Sequence, residues 1–412
     1  MQPVKIRILG NFFDSQIYSG KLYLWHFDGR LSVYDWDQLI ESIQTDDYLD
    51  FVIGLCLKDG SYLYQTFLYD KLIHDKEIGD VLQQKLNTLS GKEFVISEKE
   101  LCDFLIKEYD VPLGEMPIDT TIYRNKLYYA LDSGLYVSRV RGSKEAVSAT
   151  KRPSKMFDGR VVHMSAGYNR IALSMLSDGL YEYNLWESSW KDPICLTSKH
   201  SNFAYYNYSN VFNSSLQGDS FMLYYPREEV QLKQENVHSL FDLDIATKEG
   251  RIINHDRTKY EQIGEDRIFS SPGKKRLGWG FNNRIYYADG KEISAVKFTG
   301  YDKKNMFHVL QSDYKENNAR NEQIINASVA YFGNVVEYMS KLVVYQSDGA
   351  LFEINEPITR WRVFNRSVNY ENHLHVILDE SLCVYGFLHD YMRNDRDKVM
   401  GAFFEGNKKN MI

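Results

Sequence analysis

Gly20-Lys21-Leu22-Tyr23-Leu24-Trp25-His26-Phe27-Asp28-Gly29-Arg30-Leu31-Ser32-Val33-Tyr34 decides how the rest of the chain is read. An apolar run enters Asp28-Gly29, and Leu31 and Val33 then alternate with polar neighbours. This is a β-hairpin in sequence form. Asp-Gly supplies the positive φ that a tight turn needs, and a period of two marks a pleated strand with one buried face.

The formula returns along the chain. Asn125 to Val137, Asn169 to Tyr181, Asn283 to Ile293 and Ser340 to Phe352 each run from a small polar residue and a basic one through an apolar stretch to an Asp turn. Asn372 to Val384 repeats it without the turn glycine. Weaker copies are expected around Asp59-Gly60, between the apolar runs of Phe51 to Phe67, and at Phe221 to Tyr225. Leu240 to Ile245 and Arg251 to Ile253 read as strands flanking the turn Thr247 to Gly250. The clear copies recur at about thirty to sixty residues, bracketing the roughly 40 to 50 residues of a four-stranded blade.

On these residues the chain resembles a β-propeller. The resemblance is to the architecture, because the Gly-His and Trp-Asp pairing of WD40 blades, the double glycine of kelch blades and the sialidase box are missing. It implies an all-β fold of about seven four-stranded blades over residues 1–388. Val4 to Leu9 alternates like a strand, and is expected to close the propeller by pairing with the blade built from Leu374 to Leu388. Another all-β fold, such as paired sandwiches, is the alternative, but sandwiches do not repeat one hairpin at this period.

Residues 70–118 break the pattern. Ile78, Val81, Leu82 and Leu86 fall at helical spacing, and Ser97-Glu98-Lys99-Glu100 is a capping box followed by Leu101, Phe104 and Leu105. A small helical insertion between blades is expected here, ending at Pro112, and either covering a blade edge or docking a partner. Residues 389–412 read as a polar tail with one apolar island, Ala402-Phe403-Phe404.

Composition limits the function classes. The 412 residues are 43% hydrophobic with 31 tyrosines, too apolar for wholesale disorder and suited to half-buried strands. A formal charge of -7 argues against a protein dedicated to nucleic-acid backbones. The cysteines Cys56, Cys102, Cys195 and Cys383 are too far apart for a metal knuckle or redox pair, and read as core residues of a reducing compartment. With neither a signal-type apolar segment nor a stretch long enough to span a membrane, a cytoplasmic location is expected.

The constellations that could carry chemistry are few. His373 and His375 share one strand face but lack a third metal ligand nearby, so a packing pair is the better reading. Asp390, Asn394, Asp395 and Asp397 lack the Gly and Glu of a calcium loop, and Gly278-Trp279-Gly280 lacks the Lys-Ser/Thr of a phosphate loop. Two basic runs stand out in an acidic chain: Arg139, Arg141, Lys151 and Arg152, and Lys274, Lys275 and Arg276 with Trp279 beside them. Both fall in expected inter-strand loops and could hold an anionic partner, though an ordinary solvated loop is the better reading of each cluster taken alone.

The expectation is therefore a non-catalytic protein-protein interaction or recognition module, a regulatory or scaffold subunit of a cytoplasmic complex with a protein partner and no cofactor. A propeller enzyme or ligand sensor is the alternative, its site gathering inward carboxylates such as Asp219 or Glu353 at the propeller centre. Contact with an anionic ligand or nucleic acid through the basic loops is the third reading.

Overall fold

The computed structural model describes residues 2–43, 49–58, 75–110, 114–140, 153–185, 192–207, 209–217, 219–225, 228–231, 251–254, 259–269, 277–288, 293–299, 306–312, 322–346, 349–367, 369–387 and 403–404. The fold is a seven-bladed β-propeller, because seven sheets of four or five strands, antiparallel apart from one added edge strand, follow one another along the chain.

The chain starts with β1 (Val4–Leu9), which buries Val4, Ile6 and Ile8 and leaves Lys5 and Arg7 half exposed. The first blade pairs β2 (Phe12–Tyr18), β3 (Lys21–His26) and β4 (Arg30–Asp35). The chain then leaves the sheet through α1 (Trp36–Ser42), α2 (Leu49–Leu57), α3 (Lys76–Leu89), β5 (Glu93–Ile96) and α4 (Glu98–Cys102). It returns as β6 (Leu105–Asp110), the fourth strand, in the order β2-β3-β4-β6.

The second blade is β7 (Asp119–Tyr123), β8 (Lys126–Leu131), β9 (Gly134–Arg139) and β10 (Ser154–Phe157), and the third is β11 (His163–Gly167), β12 (Arg170–Ser174), β13 (Leu180–Asn184) and β14 (Ile194–Thr197). In the fourth, β15 (Phe203–Asn207), β16 (Asn210–Ser214) and β17 (Phe221–Tyr224) are separated from their last strand by a two-stranded excursion, β18 (Glu228–Gln231) with β19 (Arg251–Asn254). The last strand is β20 (Glu261–Gly264), followed by α5 (Glu265–Phe269). The fifth blade is β21 (Leu277–Phe281), β22 (Arg284–Ala288), β23 (Ile293–Phe298) and β24 (Phe307–Ser312). The sixth is β25 (Ile324–Ala330), β26 (Gly333–Tyr338), β27 (Leu342–Gln346) and β28 (Leu351–Ile354). The seventh takes β29 (Ile358–Val363), β30 (His373–Leu378) and β31 (Ser381–Gly386), then β1 antiparallel and β5 parallel. Of the tail, Phe403–Phe404 forms a two-residue strand, β32.

The chain divides into two compact units: Met1–Met116 with Val140–Arg152 and Ser312–Ile412, and Pro117–Arg139 with Pro153–Gln311. In the first, Val4, Ile6 and Ile8 share a core with Trp36, Ile53, Leu57, Leu101, Leu382 and Val384, and a second core joins Val335 and Val344 to Leu374 and Val376. Among the described residues of the second, cores lie between successive sheets around Tyr128 and Leu173, Phe221 and Leu223, and Phe212 and Ile285. Burying each such aliphatic side chain contributes about 1.5–3 kcal/mol, which is the main term holding sheet to sheet.

The N-terminal strand closes the propeller as expected, with Val4 opposite Gly386 and Leu9 opposite Ser381. The recurring hairpin is real, and Asp28-Gly29 and Asp178-Gly179 do turn the chain between its strands, but Asp28-Gly29 is not a two-residue turn. The two-residue turns with positive φ at both positions are Ser19-Gly20, Arg124-Asn125 and Tyr168-Asn169, immediately before the basic residue of each copy. Asp28-Gly29 instead belongs to a three-residue loop in which the Gly29 amide reaches the His26 carbonyl at 3.1 Å and only Gly29 has positive φ.

Three further expectations change. The run expected as a hairpin strand from Phe51 is α2, because Val52, Ile53, Cys56 and Leu57 serve a helix that enters the core shared by the first and last blades, while residues 59–74 lie outside the description. The helical insertion falls inside the first blade, between its third and fourth strands, and contains a strand. Its capping box forms as read, with Glu100 accepting from the Ser97 amide at 2.8 Å and the Ser97 hydroxyl accepting from the Glu100 amide. Ile78 and Val81 of α3, however, are exposed, and Leu105 opens a strand. Finally, Arg251–Asn254 pairs with Glu228–Gln231, and residues 240–245 lie outside the description.

Candidate functional site

Within the first unit, the innermost strand of the first blade, β2, lies beside the innermost strand of the last, β29. Alternation along Ile358-Thr359-Arg360-Trp361-Arg362 puts Arg360 and Arg362 on one face and Trp361 on the other, where its indole donates to Glu337 at 2.7 Å. Both guanidiniums converge on Asp14, which is wholly buried. Arg362 grips it with two bonds of 2.6 Å, and Arg360 adds one of 2.9 Å. The Ser15 amide supplies a fourth donor at 2.8 Å. Burial by itself would raise the carboxyl, but the two guanidiniums and these hydrogen bonds outweigh it and hold Asp14 at about 2.

The next layer is a histidine pair. The Ser15 hydroxyl lies 3.0 Å from Nδ1 of His375, whose ring stacks on His373 with centroids 6.0 Å apart. His373 donates from Nε2 to the Cys56 carbonyl at 3.2 Å, which fixes its proton there because a carbonyl only accepts. Burial pushes His373 down to about 3, and burial together with the charges of His373 and Arg362 puts His375 well below its usual value. Both rings are neutral packing groups, in line with the reading of a packing pair.

Serine, histidine and aspartate thus lie within one cluster, but they are not arranged for nucleophilic catalysis. Asp14 spends its oxygens on guanidiniums instead of orienting the imidazole, and Ser15 is only 1% exposed. The cluster is a buried lock between the first and last blades. Its solvent side differs: the Arg360 guanidinium lies 4.6 Å over the Phe13 ring, and Phe27 meets Phe13 edge-on at 5.4 Å while remaining 48% exposed.

The residues expected to contact an anion are not brought together by anything described. Arg139 ends β9 opposite Lys126, and Arg141, Lys151, Arg152, Lys274, Lys275 and Arg276 lie outside the described residues. Trp279 is fully buried against Tyr286, so it offers no ring beside that second run. Asp219 is exposed near a hairpin turn, and Glu353 lies on an outer strand paired to Lys341 at 2.6 Å, so neither is an inward carboxylate. All four cysteines are free. Cys56 and Cys383 are core residues as expected, whereas Cys102 and Cys195 are exposed. Among the described residues no three His, Cys, Asp or Glu side chains converge as a metal site requires, and no helix is long and apolar enough to cross a membrane.

Asp14, Arg360 and Arg362 escaped the sequence reading because nearly the whole chain separates them. The signal available was Arg-x-Arg alternating on the strand that closure places beside β2.

No family model matches the chain, and no curated protein matches it by sequence. Solved propellers do resemble it. The β-propeller domain of Cps50 (Swd1) from Myceliophteria thermophila is 8% identical with a TM-score of 0.47, covering 92% of this chain and 96% of that one. BBS1N, solved in complex with ARL6DN, is 9% identical with a TM-score of 0.46, covering 95% and 99%. The computationally designed Ika8 protein is 8% identical with a TM-score of 0.43, covering 94% and 100%.

Proposed function

We propose that the chain is a non-catalytic protein-protein recognition module, a subunit of a cytoplasmic complex. The observation carrying this reading is the exposed Phe27, braced edge-on by Phe13 under the Arg360 guanidinium. Arginine and aromatic side chains dominate binding energy at protein interfaces, and a pair already held in place loses little side-chain freedom on docking. The neighbouring acid, base and hydroxyl are sealed into a lock, so the cluster supports docking better than chemistry.

The basic runs of the sequence, Arg139, Arg141, Lys151 and Arg152, and Lys274, Lys275 and Arg276, are proposed as further contacts to an acidic partner, on their charge alone.

The test is affinity purification of the intact chain from its host beside Phe27→Ala and a variant reversing Arg139, Arg141, Lys151 and Arg152. One stoichiometric protein retained by the parent and depleted by Phe27→Ala, at unchanged melting temperature, is the expected result. Equal recovery with Phe27→Ala removes the aromatic patch, and equal recovery with the reversed charges removes the basic loops. A chain that purifies alone and is stabilised by a small molecule in a thermal-shift screen overturns the module reading in favour of a sensor or enzyme.

A further inference from the structure

The excursion inside the first blade does more than cover it. From its start at Trp36 to its end at Cys102 it touches the last blade at two separate places. At the outer edge, β5 lies parallel to β1 with Lys5 opposite Glu93 and Ile8 opposite Ile96. The Lys5 amide donates to the Lys92 carbonyl at 2.8 Å, the Gly91 amide to Pro3 at 3.2 Å, and the Ser90 hydroxyl to Gln2 at 3.1 Å. Glu93 lies 3.1 Å from the Lys5 ammonium and 3.8 Å from the Arg7 guanidinium. Ile96, Leu101 and Leu89 complete the core that Ile6 and Ile8 enter.

The second place is the end of α2. The last carbonyls of a helix lack partners within it and must find them elsewhere. Here Cys56 accepts from the Asn372 amide at 2.6 Å and from His373 at 3.2 Å, both at the start of β30, while Leu57 accepts from the Trp36 indole.

We propose that this excursion is a second clasp across the seam between the first and last blades, and that the N-terminal strand is released only after β5 lets go. The closing strand β1 is not an edge. It is hydrogen-bonded to β31 on one side and β5 on the other, so it cannot peel away while both remain. A four-residue parallel strand is the weaker of the two neighbours, and it therefore opens first. The excursion is anchored in the first blade by β4 and β6, so the clasp links the two blades through the chain itself.

Native-state hydrogen exchange on the full chain tests the order. Arg7 and Val95 face each other across the β1–β5 pair, at a separation a disulfide can span. In a Cys102→Ser, Cys195→Ser, Cys383→Ala background, which removes the thiol directly opposite Arg7 across the β1–β31 pair, Arg7→Cys with Val95→Cys, once oxidised, is expected to slow the amides of β1 and their β31 partners by about tenfold or more. Reducing the same sample should restore the earlier rates, which separates the clasp from any damage by the substitutions. Glu93→Lys, placing like charge beside Lys5 and Arg7, is expected to speed the same amides by about two- to five-fold. Amides of β12 and β22 should not change in either variant. If β1 exchanges at its original rate with the cross-link in place, its release does not pass through β5 and the proposal is overturned.

Discussion

Asp14 shows what one buried carboxylate can decide. Removing its charge as Asp14→Asn leaves two guanidiniums around a neutral amide, and breaking a buried pair in this way costs about 3–5 kcal/mol. Replacing the whole set, as Asp14→Leu with Arg360→Met and Arg362→Met, removes the unpaired charges as well. Urea denaturation should find the triple variant more stable than Asp14→Asn, and the opposite order would show that the trio contributes more than a satisfied lock. The same residues set the acid response. The Asp14 carboxyl titrates at about 2 against an ordinary 3.8, so its contribution is complete above 3.8 and lost as pH falls toward 2. His373 and His375 act earlier. Their folded-state values lie below the ordinary 6.5, so protons bind preferentially to the unfolded chain, and stability declines as pH drops below 6.5. Each contributes up to about 1.4 kcal/mol per pH unit in that window. Melting followed between pH 7 and pH 5 should show this slope, and His375→Gln should reduce it; a slope unchanged by the substitution would mean that the fold does not hold the His375 imidazole neutral.

At the scale of elements, the turns divide into two kinds with different tolerance. Gly29 has φ of 86° and open space where a Cβ would lie, so Gly29→Ala costs only the left-handed backbone, about 1–2 kcal/mol. Gly179 has φ of 100°, and a Cβ there meets the Thr197 carbonyl as well. Gly179→Ala should therefore lower the denaturation midpoint more than Gly29→Ala does, and equal losses would refute the steric argument. Elements were legible where the local chemistry is self-sufficient. The Ser97 capping box formed as read because both of its bonds are made within four residues. The helix α2 was not legible, because an unbroken apolar run suits a buried strand or a buried helix equally. Its carbonyls are capped by Asn372 and His373 from the far end of the chain, which no local pattern announces. The outward orientation of Ile78 and Val81 was not legible for a related reason: helical spacing marks a face without saying which way it points.

For the whole molecule, the blade repeat makes stability and recognition partly separable. Each core lies between neighbouring sheets, so reversing the charge of Arg139, Arg141, Lys151 and Arg152 should leave the melting temperature nearly unchanged while weakening an acidic partner, to be read by titration calorimetry at two salt concentrations. Insensitivity of the affinity to both charge and salt would remove the electrostatic contact. What the amino-acid order determined by itself was the repeated hairpin, the blade architecture it implies and the closing strand, because period-two alternation and turn chemistry act over a few residues. Only the tertiary structure decided the rest: that the loop Phe27-Asp28-Gly29 of the opening hairpin displays Phe27 against Phe13, that Asp14 meets Arg360 and Arg362, and that an excursion from the first blade clasps the last. The contacts of Asp14 with Arg360 and Arg362 and of Cys56 with His373 join residues more than three hundred positions apart, and they exist because closing the propeller brings its first and last blades side by side.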